Sequence, residues 1–415
     1  MSPAEIILLK NLVSSSPDMD SSAWDRVRAG IKDRAFFSSR VESVRFLDVC
    51  CSKIADLLGN VRNSDGALTS RAEVVSSIMR AAREAGISSG SASISDPGSE
   101  ARANVIIDTN AGLAAGYARL EMDSTLGARI AFPCYELVRI EERNVPRDWR
   151  SKWIAKGGRL YQGRMVALKD DPIWTAISRF GCPYPPFDYN SGMGLDDVSH
   201  DEAVSLGVIK DDYEPPEKSP LESFNANLEA DLNMDRTSAS FSSLKDDFGD
   251  QIIERDGKAM WRSQFVRDTI EESYGENGRI IKLGKVSDAA LSKVPDELKS
   301  ILEGSKGERM GLTLTKELAT HLKDHKHYKV DPRKTNIPIQ PHDLDLVPTL
   351  WRDPDRVVQD EDHKDGLVFE MKTGDGGLLR LPIIRIGNSI RTGTLYKKRQ
   401  TRGRAGVDND GRTTS

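Results

Sequence analysis

The sequence predicts an α+β fold, with a mainly helical N-terminal part that includes a small sheet and a C-terminal domain built on an antiparallel sheet. Three observations support this prediction. Apolar residues recur at helical spacing through the first quarter of the chain, two alternating apolar runs flank a Gly-rich turn near the C-terminus, and an acidic stretch separates the two parts. The length of 415 residues allows two or three domains.

Helices dominate the expected N-terminal region, residues 1–95. From Trp24 to Leu58, apolar residues follow one another mainly at steps of three and four, which is the repeat of one helix face. Ser70 and Glu73 have the spacing of a capping box, in which each side chain accepts a hydrogen bond from the other residue's backbone amide. This pair predicts the start of a second helix.

A second N-terminal domain is expected over residues 96–209. It opens with a helix from Glu100, in which Gly112 and Gly116 lie on one stripe. Because glycine lowers helix propensity, the two positions predict that another helix packs closely there. Residues 128–140 alternate between apolar and polar types and predict a strand.

An acidic linker is expected over residues 210–270, because this stretch contains Pro and Ser and has few large apolar groups. A small α+β domain follows over residues 271–404. The last residues, 405–415, contain no large apolar side chain and predict a flexible tail.

The C-terminal domain is expected to begin with helices and to end in a sheet. Residues 288–305 and 314–325 have helical patterns, and residues 366–387 form two alternating runs around a Gly-rich turn, which predicts a hairpin. Residues 388–398 predict a further strand, with one face formed by Ile390, Thr392, Thr394 and Tyr396.

Charge and cysteine content exclude several classes of protein. The chain has 59 basic and 64 acidic residues, a net charge of −5, so any contact with nucleic acid has to come from a local basic patch. Four cysteines do not make a disulfide framework. No apolar run approaches the roughly 20 residues of a membrane span, and the first residues lack a signal-peptide pattern, so we expect assembly in a reducing cytosol without a membrane span.

Two segments of the N-terminal half resemble one family. Residues 101–120, ARANVIIDTNAGLAAGYARL, and residues 164–193, RMVALKDDPIWTAISRFGCPYPPFDYNSGM, are similar to the head-morphogenesis domain of tailed-phage minor head proteins, the family of the phage Mu F protein. The resemblance covers about residues 1–210. Family members often end this domain with paired cysteines and histidines. Here Cys182 and His200 stand alone, 18 residues apart, so we expect no metal site.

The last third resembles a second family, the small nuclease-like domains of the barnase–EndoU–colicin–RelE superfamily. The matching features lie within residues 280–400: the helix LTLTKELATHLKDH, the segment DLDLVPTLWRDPDRV, the hairpin and the strand RTGTLYKKR. Such domains are often fused to the C-terminus of phage head proteins. The order of the two resemblances therefore supports both.

Five of the six histidines lie between His321 and His363, and two of them, His321 and His325, share one face of a predicted helix. Three interpretations remain open. The pair is a metal site, although no acidic third ligand is evident; or His321 is a general base or acid in RNA cleavage, as the resemblance implies; or these are surface histidines on a polar helix.

A basic run covers residues 391–404, with six basic residues and no acidic one. It predicts either a phosphate-binding patch or a solvated tail. Together with the resemblance it implies a metal-independent nuclease site that needs no cofactor, formed by His321, Arg385, Thr392, Thr394 and Lys397. The implied nucleic-acid-binding residues are Tyr396, Lys397, Lys398 and Arg399.

Two further motifs have structural alternatives. The sequence DGG at residues 375–377 predicts a hairpin turn and not a phosphate loop, because no Gly-Lys-Ser/Thr follows it. Trp149 and Trp153 are suited equally to a partner interface and to a buried core.

Taken together, the two resemblances imply a minor head protein of the virion that lies near the portal and acts in head assembly, DNA packaging or ejection. The implied partners are the portal protein and the major capsid protein, with phage DNA or host RNA as a further partner. The alternative is an active nuclease or toxin that is delivered with the phage particle. Whether His321 and the basic strand converge on one cleft distinguishes the two hypotheses.

Overall fold

The computed structural model has the predicted α+β fold and divides into two compact units, Met1–Phe265 and Val266–Ser415. It describes residues 1–15, 35–62, 66–216, 246, 252–255, 258–261, 280–282, 286–302, 311–313, 336–337, 339, 341–386, 389–393 and 395–399.

The α-helices of the described residues concentrate in the first unit. They are α1 (Pro3–Leu9), α2 (Val44–Leu58), α3 (Arg71–Glu84), α4 (Glu100–Asp123), α5 (Leu126–Ala131), α6 (Trp149–Ala155), α7 (Ile173–Ile177), α8 (His200–Leu206), α9 (Asp288–Ser292), α10 (Lys299–Leu302) and α11 (Val347–Arg352). Among these, no helix is long and apolar enough to cross a membrane.

The strands form one three-stranded sheet in the first unit, a larger sheet in the second, and several two-stranded pairs. They are β1 (Asn11–Val13), β2 (Ala35–Phe37), β3 (Cys134–Arg139), β4 (Val166–Leu168), β5 (Met193–Val198), β6 (Ile252–Arg255), β7 (Lys258–Trp261), β8 (Ile280–Lys282), β9 (Gly311–Thr313), β10 (Asn336–Ile337), β11 (Arg356–Gln359), β12 (Gly366–Lys372), β13 (Gly377–Ile386), β14 (Ser389–Thr392) and β15 (Tyr396–Arg399). The pair β1–β2 is parallel, and the other pairs are antiparallel.

The N-terminal helices α1 to α4 pack against one another, and apolar side chains fill the space between them. The predicted capping box starts α3: the Ser70 amide donates to Glu73 Oε2 at 2.7 Å, and the Glu73 amide donates to Ser70 Oγ at 3.3 Å. Cys50 and Cys51 are fully buried core thiols in α2. Helices of the predicted 1–95 region therefore pack on α4, which lies in the predicted 96–209 domain.

The glycine stripe of α4 faces a loop and not the helix that the sequence predicts. A Cβ on Gly112 would lie 3.0 Å from Pro186 Cδ, and one on Gly116 would lie 2.2 Å from the Pro185 carbonyl oxygen and 2.7 Å from Tyr184 Cδ2. The sequence predicted a close approach at these glycines, but the expected partner, another helix, was wrong. The glycines admit the rigid Pro-Pro turn of a distant segment, which helix propensity cannot indicate.

The predicted strand over residues 128–140 exists only in its second half. Thr125 caps the short helix α5 through a hydrogen bond from the Ala128 amide, and Pro133 separates this helix from β3. Alternation at the start of the segment was therefore misread. The exposed Ile130 and Phe132 do not belong to a sheet face.

The three-stranded sheet has the order β4–β3–β5 and carries the aromatic core of the first unit. Trp153 and Trp174 are fully buried, with ring centroids 5.2 Å apart, and Phe187 stacks on Trp174 at 6.2 Å. Trp149 lies in the same cluster with 3 % exposure. Trp149 and Trp153 are thus core residues, which decides between the two alternatives in favour of packing.

The second unit contains a sheet of order β10–β15–β13–β12–β11, with β14 also paired to β13. The predicted hairpin is confirmed: Leu367 to Lys372 pair with Ile383 to Leu378 across the turn at residues 373–376. Helix α11 covers β12, where Trp351 stacks on Phe369 with centroids 5.6 Å apart.

Other expectations are met in part or lie outside the described residues. The predicted helix 288–305 is divided at Pro295 into α9, a 3₁₀ turn and α10, because proline has no amide to continue the hydrogen bonding. The predicted helix 314–325, most of the linker 210–270 and the tail 405–415 lie outside the described residues, so they stay predictions.

Candidate functional site

The C-terminal strand that carries most of the predicted site contains a bulge. Ile383 of β13 pairs with Thr392, and Arg380 pairs with Tyr396. Between these pairs β13 advances by three residues (383 to 380) and the C-terminal strand by four (392 to 396). One extra residue reverses the alternation of side chains between the two sheet faces.

The bulge corrects the predicted face of this strand. Directly paired residues of antiparallel strands point to the same face. Thr392 therefore shares the face of Ile383, as Lys397 shares that of Leu379 through their pairing, and all four are buried. Tyr396 lies on the opposite face. The prediction that Thr392 and Tyr396 share one face was wrong. It assumed strict alternation of side chains along the strand, and the sequence pattern does not show the one extra residue of the bulge.

Lys397 is fully buried and bound by two carboxylates. Its Nζ lies 2.7 and 2.9 Å from the two Oδ atoms of Asp343 and 2.7 Å from Asp375 Oδ2. Asp343 belongs to the 3₁₀ turn Pro341–Leu346, and Asp375 belongs to the β12–β13 turn. A Cβ on Gly377 would lie 2.5 Å from Lys397 Cε, so only glycine leaves room for the lysine stem. We call Lys397, Asp343 and Asp375 the lysine triad.

Electrostatics hold the lysine triad in its charged form. Burial alone lowers the pKa of Lys397, but the carboxylates of Asp343 and Asp375 outweigh this effect and raise it. Burial raises the pKa of Asp375, and the Lys397 ammonium with hydrogen bonds from Thr373 and the Gly377 amide lowers it to about 2. The predicted phosphate contact of Lys397 is thus corrected: its ammonium is enclosed and paired within the protein.

Arg385 and Lys397 do not meet at one point of the sheet. Lys397 pairs with Leu379, and Arg385 lies six residues further along β13 (379 to 385). At about 3.4 Å per residue their backbone positions are about 20 Å apart. Arg385 donates instead to the carbonyl oxygen of Ser300 in helix α10 of the same unit, at 2.8 Å. His321 and Thr394 lie outside the described residues, so their predicted catalytic roles stay predictions.

The other sheet face carries a row of alternating charges. Arg356, Glu370, Arg380 and Tyr396 stand side by side on adjacent strands. Glu370 forms ion pairs with both arginines, and the Arg380 guanidinium lies 5.3 Å from the centroid of the Tyr396 ring. Lys398 Nζ lies 5.6 Å from the same ring, and Arg399 is exposed. Of the predicted nucleic-acid-binding residues, Arg399 is exposed, Tyr396 and Lys398 are half-buried, and Lys397 is enclosed.

A second basic surface, which the sequence analysis missed, lies in the first unit around Asp188. Arg147 and Arg179 approach the Asp188 carboxylate at 3.8 and 3.7 Å. Lys152 Nζ stands 4.4 Å from the centroid of the Trp149 ring. Burial lowers the pKa of Lys152, and so do the neighbouring cations, which include Arg147 and Arg179, against the opposing effect of Asp188. We call Arg147, Lys152, Arg179 and Asp188 the Asp188 cluster.

The Asp188 cluster has the composition of a phosphate-binding surface. Three cations surround one carboxylate that is only 12 % exposed, so positive charge is in excess. The Arg179 guanidinium lies 5.2 Å from the centroid of the Tyr189 ring, and a cavity of about 370 Å³ beside Arg147 is lined by polar groups of Arg143, Asn144, Asn190 and Ser191. Basic groups interleaved with aromatic rings are typical of nucleic-acid contacts.

A signal for this surface is present in the sequence. Residues 139–164 contain eight basic and three acidic residues, in a chain that is acidic overall. Counting charge by segment would have indicated the region. The contribution of Arg179 and Asp188 could not be counted this way, because only folding brings them beside Arg147.

Comparison with known proteins gives no identification. No protein-family model, no curated protein and no solved structure matches the chain.

Proposed function

We propose that this protein is a minor head protein of a tailed phage, that it lies near the portal in the virion, and that it acts in head assembly, DNA packaging or ejection. The portal protein and the major capsid protein are its proposed protein partners, and phage DNA is its proposed nucleic-acid partner. The proposal rests on the resemblance of residues 101–120 and 164–193 to head-morphogenesis domains.

One structural observation supports this proposal most directly. The two segments with the resemblance are separated by more than 40 residues, yet Gly112 and Gly116 of the first pack on Tyr184, Pro185 and Pro186 of the second. Two resembling segments that pack as one body are what a single conserved module requires.

The Asp188 cluster supports the part of the proposal that concerns DNA. A protein of net charge −5 has no uniform attraction for a polyanion, so contact with packaged DNA needs a local excess of cations. Arg147, Lys152 and Arg179 supply one in the first unit. In the C-terminal unit we propose a binding role and no cleavage through Lys397, because the triad encloses that side chain.

The test is assembly with the proposed partners. The full chain is produced together with the portal protein and major capsid protein of the phage that encodes it, and the particles are separated from free protein by sedimentation. We expect the chain in the particle fraction at low copy number relative to the capsid protein. Gly116→Val should remove it from the particles, because the valine meets the Pro185 carbonyl, whereas Gly127→Ala, where no atom lies within 4 Å, should not.

Three results would contradict the proposal. One is that the wild-type chain stays with free protein while particles form normally. Another is that Gly116→Val is incorporated as well as Gly127→Ala although its melting temperature shows an altered fold. The third is that particles made without the chain equal complete particles in DNA content and in infectivity.

A further inference from the structure

A second cavity of the first unit, about 410 Å³ in volume, borders the Asp188 cluster through Tyr189, whose ring also lies under Arg179. It is formed by β2 and the residues that follow it, by α4, and by the loop before β5. Two arginines, Arg40 and Arg102, line this cavity together with the aromatic side chains of Phe37, Phe180 and Tyr189.

Arg102 has no acidic partner among the residues that the structure describes. Its Nη2 donates to Ser38 Oγ and Ser39 Oγ, both at 2.8 Å, and to the Ser39 carbonyl at 3.1 Å. These acceptors are all neutral. Its Nε is buried without any hydrogen-bond acceptor, and Arg102 forms no ion pair with another residue in the described part of the chain.

Arg102 is partly buried, and a guanidinium in this position without a counter-charge among the described residues is costly, because the desolvation of the cation is not offset by a carboxylate. Burial lowers the pKa of Arg102, and the nearby Arg40 guanidinium acts in the same direction. Two cations of the same sign are therefore held at one cavity. A bound anion would supply the missing charge.

The remaining walls of the cavity indicate that the ligand has an apolar part besides its charged group. Phe180 is 3 % exposed, and Ile106 and Leu113 of α4 continue the apolar lining. Apolar walls with a few polar groups are typical of sites for small organic molecules, and about 400 Å³ is within their usual range. Inorganic phosphate alone would leave most of this apolar lining uncovered.

We infer that this cavity binds a small organic anion, with a phosphate or carboxylate group at Arg102 and Arg40 and an apolar body against Phe37 and Phe180. The inference does not depend on the proposed head function. It assigns a ligand class to residues that neither the Asp188 cluster nor the lysine triad uses.

The test measures binding of named probes to the full chain by isothermal titration calorimetry. Phenyl phosphate and phenylacetate supply the two anionic groups on an aromatic body, benzyl alcohol supplies the body alone, and inorganic phosphate supplies the charge alone. We expect both aromatic anions to bind. Benzyl alcohol should bind at least about tenfold more weakly, because it lacks the hydrogen bonds of a charged group. Inorganic phosphate should bind at least about tenfold more weakly, because it leaves the apolar lining uncovered.

Variants locate the site. Arg102→Gln should weaken binding of phenyl phosphate by about tenfold or more. Arg40→Gly should weaken it less, and it should fold normally, because Arg40 has a φ of 61° that glycine adopts without strain. Val105→Phe should block the cavity sterically while both arginines stay in place. Arg80→Gln, which changes an exposed residue of α3, is the matched control and should bind as the wild type does.

The outcomes decide the inference. Loss of binding in Val105→Phe and weaker binding in Arg40→Gly, both with unchanged melting temperatures, support it, even where Arg102→Gln fails to fold. Absence of binding of both aromatic anions to the wild-type chain would overturn it. Equal binding of benzyl alcohol or inorganic phosphate, or full binding by Val105→Phe, would overturn it as well.

Discussion

Lys397 and Asp343 form an ion pair in which neither side chain has any exposure to solvent, with Nζ 2.7 Å from one carboxylate oxygen and 2.9 Å from the other. Asp375 completes the lysine triad from the hairpin turn. The triad thereby ties β15, the 3₁₀ turn before α11 and the β12–β13 turn to one another. Its role in the second unit is structural.

Removing the ammonium from the lysine triad should strongly destabilise the second unit. Lys397→Met leaves the fully buried Asp343 carboxylate and the partly exposed Asp375 carboxylate without a cation, for which the expected loss of stability is about 3–5 kcal/mol. Differential scanning calorimetry of thermal unfolding should show this loss as a lower melting temperature. Lys398→Met is the matched control on the next residue. Because Lys398 faces the other side of the sheet, its change should stay within about 0.5 kcal/mol. Equal melting of the two variants would contradict the structural role of Lys397.

The triad should also make stability depend on acid pH. Asp375 has a pKa of about 2 in the folded protein, below the roughly 3.9 of an unfolded Asp. Since the unfolded state therefore binds a proton first as the pH falls, this contribution is present above about pH 4 and is lost on the way to pH 2. Its size is about 2 kcal/mol. Urea unfolding of the wild type and of Asp375→Asn across this range should give curves that converge at low pH, and parallel curves would show that Asp375 does not contribute.

The glycine stripe should tolerate no side chain at the Pro-Pro turn. Gly116→Ala places a Cβ within 2.2 Å of a backbone oxygen, so α4 or the 184–186 loop has to move. We therefore expect the free energy of unfolding to fall by about 1–3 kcal/mol. Gly127→Ala in α5 meets no atom within 4 Å and should stabilise the helix by up to about 1 kcal/mol. Chemical denaturation of both variants makes the comparison. Similar values would mean that helix propensity alone decides at both sites.

The Asp188 cluster should contribute salt-dependent affinity for DNA. Replacing Arg147 and Lys152 by Gln removes two cations, and each lost phosphate contact lowers the slope of log K against log salt by about 0.9. Fluorescence anisotropy with a duplex of mixed sequence measures this slope between low and moderate salt. The double variant Arg80→Gln, Arg83→Gln has the same charge change on exposed positions of α3 and should retain the wild-type slope. An unchanged slope in the first variant would exclude the cluster as a DNA contact.

The accessible end of the C-terminal strand gives a separate prediction. Lys398→Ala with Arg399→Ala should weaken nucleic-acid binding if this strand contacts phosphates, and folding should be unaffected because both side chains lie outside the core. The same anisotropy measurement applies, with circular dichroism as the check on folding. Binding equal to that of the wild type would limit nucleic-acid contact to other surfaces.

Local signals in the sequence determined a large part of the fold. The capping box at Ser70 and Glu73, the hairpin around residues 373–376 and the α+β class follow from hydrogen bonding and hydrophobic repeats that act over a few residues. Gly112 and Gly116 likewise indicated a close approach to α4. These features are local, so neighbouring residues are sufficient to specify them.

Tertiary structure alone decided which groups meet. One extra residue before Tyr396 places Lys397 inside, against Asp343, and a turn of residues 184–186 takes the place of the expected helix partner of α4. The same holds for Arg102, whose lack of a carboxylate partner in the described part of the chain is a property of the folded surroundings. Sequence spacing reports only which residues share a face of one element. The charge and packing at a site depend on contacts between residues far apart in the chain, and these form only when the chain folds.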